Sequence, residues 1–121
     1  MAVPAQAAAV QVRPLVELRE SGGFAGVNDR VVVYTNGCVR LSKRTGPVVR
    51  KCVTVKEWRG LRAKLTHLRL GRNQAQPQGA DHLKYTLAYK GRTVTRYTLT
   101  TSWAPVVSRM EKLLQRYWAP D

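Results

Sequence analysis

"RVVVYTNGCVRL", Arg30 to Leu41, decides the fold. Asn36-Gly37 is a strong two-residue hairpin signal, because both central positions of a type I′ turn need positive φ. That turn predicts Tyr34 opposite Val39 and Val32 opposite Leu41, so that four apolar side chains share one face. The chain next turns at Arg44-Thr45-Gly46 and runs on through Pro47 to Thr54. A three-residue loop there places Leu41 opposite Val49, Val39 opposite Lys51 and Cys38 across from Cys52. A two-residue loop would oppose Leu41 with Arg50, which breaks the apolar face. Opposed strand residues lie within reach of a disulfide. The other reading of Cys38 and Cys52 is a pair of small buried thiols, and the sequence leaves both open.

Upstream, Leu15 to Arg19 reads as a first strand, followed by "SGGFAG", Ser21 to Gly26. A phosphate-gripping loop needs Lys and Ser/Thr directly after its last glycine, then a helix. Here Val27, Asn28 and Asp29 follow, and then a strand, so the nucleotide reading fails. Downstream, Thr54-Val-Lys-Glu57 has capping-box spacing and opens a helix with Trp58, Leu61, Leu65 and Leu68 on one stripe. "GRNQAQPQ" is a polar loop. His82–Tyr89 and Arg92–Leu99 form a second hairpin about Lys90-Gly91, with Leu87 opposite Val94. Ser102 is placed to cap a last helix that carries Trp103, Val106, Val107, Met110, Leu113, Leu114 and Tyr117 at helical spacing. The order is ββββαββα. The expected class is α+β, a mainly antiparallel sheet with two amphipathic helices on one face, in a single domain over residues 14–118 behind a tail at 1–13.

The charge is lopsided. The chain carries 21 Lys and Arg against 7 acids, a net of +14. Between Arg40 and Arg72 stand Arg40, Lys43, Arg44, Arg50, Lys51, Lys56, Arg59, Arg62, Lys64, Arg69 and Arg72, with Glu57 as the one acid. Such a segment suits an acidic protein complex or nucleic acid. The competing reading is a solvated basic surface. No RNA-binding or zinc-finger signature accompanies the charge, and most of the nine aromatics fall at core positions rather than in a stacking row.

Catalysis has little support. His67 and His82 lack HExxH spacing, no serine sits in a GxSxG elbow, and seven acids make a carboxylate pair improbable. The expectation is a non-enzyme without cofactor or metal. No apolar run approaches the ~20 residues that span a bilayer. "MAVPAQAAAVQV" has no basic n-region, yet Ala5-Gln6-Ala7 has the small-x-small form of a cleavage site. A native Met1 would mean a cytoplasmic protein; a targeting remnant over residues 1–7 would mean an exported or organellar one, such as a plastid protein.

"VELRESGGFAGVNDRVVV", "GADHLKYTLAYKGRTVTRYTL" and the terminal amphipathic helix together resemble the emfourin-like family, small protein inhibitors of thermolysin-like metalloproteases. The resemblance spans roughly residues 15 to 115, and its most distinctive part is the hexapeptide Ser21, Gly22, Gly23, Phe24, Ala25, Gly26. It implies an α+β fold and a protease as partner, with that hexapeptide as the contact loop. The NG-turned basic hairpin and the +14 charge depart from the family pattern. Phe24 has two readings: a core residue after a glycine turn, or a projecting apolar anchor between small neighbours, which suits a cleft that favours bulky apolar groups.

Overall fold

A computed structural model describes residues 12–23, 25–79 and 82–118. Its elements are β1 (Pro14–Gly22), β2 (Val27–Tyr34), β3 (Cys38–Ser42), β4 (Val49–Cys52), α1 (Val55–Leu65), β5 (Leu83–Tyr89), β6 (Arg92–Arg96) and α2 (Trp103–Tyr117). The ββββαββα order and the α+β class are as the sequence indicates. The strands form one antiparallel sheet in the order β4-β3-β2-β1-β5-β6. The first four strands meander outward from β1. The chain then passes through α1 and adds the second hairpin to the other side of β1.

The first hairpin differs from expectation. Val33 pairs with Val39, Val32 with Arg40 and Val31 with Leu41, one residue away from the pairing a two-residue turn would give. Its loop holds three residues, Thr35 to Gly37. Only Gly37 takes positive φ, at 85°, and its N–H donates to the Tyr34 carbonyl at 3.0 Å. Asn36 spends its side-chain oxygen on the Cys38 N–H at 3.0 Å. This is the three-residue hairpin with glycine at the left-handed position. The shift puts Val31, Val33, Val39 and Leu41 on the core face and moves Val32, Tyr34 and Arg40 to the other.

The other ladders follow the sequence. Leu41 pairs with Val49, Val39 with Lys51 and Cys38 with Cys52. The two sulfurs are bonded, with Cα atoms 3.8 Å apart. Cys52 is exposed and Cys38 half-buried, so the buried-thiol reading does not hold. Lys90-Gly91 makes the two-residue turn of the second hairpin, at φ 51° and 78°, with Leu87 opposite Val94.

Both helices lie on the face that carries Val16, Leu18, Val31, Val33, Val39, Leu41, Leu87 and Val94. In α1 the capping box is complete, and Leu61 and Leu65 are buried. Glu57 also accepts from Arg116 and from the Tyr117 hydroxyl, which ties the start of α1 to the end of α2. Partial burial pushes the Glu57 carboxyl up, but hydrogen bonds from Tyr117 and Thr54 outweigh it and hold it below its usual value. Ser102 does not cap α2. Its hydroxyl bonds instead to the Arg69 backbone, and Thr100 serves the first turn through its hydroxyl and carbonyl. Past α2, Trp118 donates to the Pro47 carbonyl at 2.7 Å and lies under the Lys43 ammonium, which closes the β3–β4 turn.

Sheet edges are unpaired backbone and need cover. Along β6, Asn73 accepts from the Thr95 N–H, and Gln74 accepts from the N–H groups of Tyr97 and Thr98. The β4 edge is only four residues long and charged, with Arg50 and Lys51 exposed.

Gly60 lies where the helices meet, and a Cβ there would run into the Arg109 guanidinium. That group ends a flexible side chain, so it can swing away. Gly60→Ala is therefore expected to hold stability level or raise it by up to about 1 kcal/mol through helix propensity. Urea unfolding checks this, and a clear loss would mean that Arg109 needs its seat.

Candidate functional site

The bend after β1 is built by glycine. Gly22, Gly23 and Gly26 have φ of 93°, 74° and 65°, a region that side-chain-bearing residues rarely enter. A Cβ on Gly22 would also sit 3.0 Å from the His82 carbonyl oxygen, which is backbone and cannot yield. The Gly23 N–H donates to that same carbonyl, and the Gly26 N–H donates back to the Gly23 carbonyl, both at 3.2 Å. The backbone is thus tied to the sheet at one end and closed on itself at the other. Ser21 is half-buried, Ala25 is exposed, and the Arg44 guanidinium lies against Gly26. Phe24, with both readings of its side chain, lies outside the described residues.

Beneath the bend three acids converge. Glu20 and Asp29 are register partners on the helix-covered face, and Glu111 of α2 meets them. Glu20 is 6% exposed, and its Oε2 has no hydrogen-bond partner. Burial, then the neighbouring Glu111 carboxyl and Asp29, push Glu20 up to about 8. The Asp29 carboxyl is also raised, by burial first, with Lys43 opposing. Burial followed by Glu20 and Glu111 pushes the Tyr85 hydroxyl up as well. Nothing local marks this cluster, because Asp29 and Glu111 are 9 and 91 residues from Glu20 along the chain. Among the described residues no group of three His, Cys, Asp or Glu has metal-binding geometry. His67 follows α1, exposed; His82 precedes β5 with its Nε2 3.2 Å from the Gln78 carbonyl.

The basic residues of the 40–72 segment separate into three places. Arg40 and Arg50 stand directly opposite each other on the sheet face that no helix covers. Lys43 and Arg44 sit in the turn beside the glycine bend, and Lys51 shares the parity of the core face at the β4 edge. Lys56, Arg59, Arg62 and Lys64 ride on α1, with Arg69 just beyond it. The register also brings Arg19 and Arg30, from outside that segment, onto the uncovered face as partners. Glu17 joins them there, bonded to Arg19 at 2.7 Å and to Arg30 at 2.8 Å. Partial burial pushes the Glu17 carboxyl up, yet the Arg30 and Arg19 hydrogen bonds prevail and hold it below its usual value. Arg40 and Arg50 have no carboxylate partner among the described residues.

At the far end of the sheet a groove of about 910 Å³ opens between the segment that follows α1, the Lys90-Gly91 turn and the start of β1. No family model, curated protein or solved structure matches the chain.

Proposed function

We propose that the protein is a non-catalytic inhibitor that docks the Ser21–Gly26 bend into the cleft of a thermolysin-like metalloprotease. The observation that carries this reading is a glycine bend fixed by backbone hydrogen bonds at both ends, with small residues that let another backbone approach. Preorganisation of this kind lowers the ordering cost of binding. The family resemblance of the hexapeptide supplies the class of partner. Phe24→Ala is expected to weaken inhibition of thermolysin at least tenfold, as for an apolar hot spot worth roughly 2 kcal/mol. Gly22→Ala should weaken it too, because the left-handed φ and the His82 carbonyl both reject a Cβ. Inhibition constants for the purified variants decide this; unchanged values for both would remove the bend from the interface.

A second reading has its own observation. Like charges directly opposite on neighbouring strands destabilise a sheet, and Arg40 faces Arg50 with no acid paired to either among the described residues. An acidic macromolecule on the uncovered face would offset that repulsion. Arg40→Ser with Arg50→Ser should abolish salt-sensitive binding of polyglutamate or of a single-stranded oligonucleotide, while stability holds or rises slightly. Binding that persists in this variant argues against the face.

A further inference from the structure

The groove combines an apolar floor with charge that no described carboxylate offsets. Leu65 and Leu68, at and beyond the end of α1, form the floor with Leu15 of β1 and the half-buried Tyr89 ring. Arg62 and Arg69 stand on one bank, Lys90 and Arg92 on the other. No carboxylate lines it, and none of the four cations has an acidic partner among the described residues. Two of them rest on aromatic rings instead: Arg62 lies 5.5 Å from the Trp58 centroid and Lys90 5.3 Å from that of Tyr89. Arg92 bonds the Gly71 carbonyl at 2.7 Å and braces the two banks against each other.

We infer that this groove binds a short acidic amphipathic peptide segment of a partner protein, with apolar side chains down on the leucine floor and carboxylates up against the four cations. A half-open trough suits a chain segment better than a small molecule, which favours enclosure. Nucleic acid would use stacking aromatics, and the Tyr89 ring already carries Lys90. A membrane surface would meet protruding apolar groups, and here they are recessed. The site is separate from the glycine bend. It includes the first residues of β1, while the bend follows the last, roughly 25 Å away along a nine-residue strand. It is also distinct from Arg40 and Arg50, which lie on the other face.

The test is fluorescence anisotropy on the full chain with a labelled peptide that alternates Leu and Glu. A peptide of equal length and charge that alternates Ser and Glu serves as control. The Leu-Glu peptide should bind at least about tenfold more tightly than the control, because burial of apolar side chains adds to charge. Arg62→Glu with Arg69→Glu should weaken it by a further factor of about ten or more. Lys90→Asn, a residue tolerated at positive φ, should weaken it from the opposite bank. Phe24→Ala and the Arg40→Ser, Arg50→Ser pair should leave it unchanged, so failure of the groove and failure of either docking reading are told apart. Equal affinity for the two peptides, stronger binding of a single-stranded oligonucleotide or an anionic vesicle at matched charge, or indifference to the groove variants would overturn the assignment.

Discussion

Trp103→Ala is expected to destabilise the fold by about 4 kcal/mol, within the range for emptying a buried tryptophan site. Trp103 is fully buried at the first turn of α2. Its indole N–H lies 3.2 Å from the carbonyls of both Arg69 and Leu70, so the ring fills the core and also pins the segment after α1. Alanine leaves a cavity and removes the donor those two carbonyls share. For a domain of this size the loss corresponds to a fall in Tm of about 15 °C. Trp103→Phe goes far to separate the two contributions, since it keeps most of the volume and loses the hydrogen bond with a little packing, at about 2 kcal/mol. Calorimetry on the two variants checks the ratio. A Phe variant as unstable as the Ala variant would mean that pinning the loop, rather than filling the core, is what matters.

Stability is also expected to fall as pH rises from 5 to 9, and Glu20→Gln should remove most of that fall. A carboxyl whose folded pKa is raised binds its proton more tightly in the native state. Its contribution is complete below the unfolded value of 4.5 and is lost as pH rises to the folded value of about 8. By linkage this amounts to a loss on the order of 3 kcal/mol. Asp29, raised as well, adds in the same direction. Glu17 and Glu57 are lowered and act oppositely, with their contributions lost only as pH falls through the acid range. Glutamine keeps the shape of Glu20, carries no charge and can donate to Glu111, so the variant should be the more stable protein at pH 9. Urea midpoints for both proteins across this range settle it. A wild-type curve that is flat, or that rises with pH, would show that Glu20 is solvated.

Features written in local chemistry were legible in the sequence. Thr54 and Glu57 announce the capping box three residues apart, and Lys90-Gly91 supplies two left-handed positions in a row. The Cys38–Cys52 pairing followed from the demand that Leu41 meet an aliphatic partner. The Asn36-Gly37 turn misled by one residue, because Asn36 has a second use: its side chain can accept from the backbone, leaving Gly37 alone to take positive φ. That single shift hid the place of Arg30, which the true register puts with Val32 and Arg40 on the uncovered face. Ser102 was misread because a hydroxyl near a helix start has more than one backbone within reach, and the competing Arg69 is distant in sequence. The buried Glu20 and the cationic groove depend wholly on tertiary packing. No local pattern marks either one.

The most direct measurement is an active-site titration of thermolysin with the purified protein at enzyme concentrations well above the inhibition constant. Activity should decline linearly to an equivalence point at one inhibitor per enzyme, and Phe24→Ala should bend that line into a shallow curve. Full protease activity at a severalfold excess of the wild-type chain, across a panel of thermolysin-like enzymes, would contradict the inhibitor account.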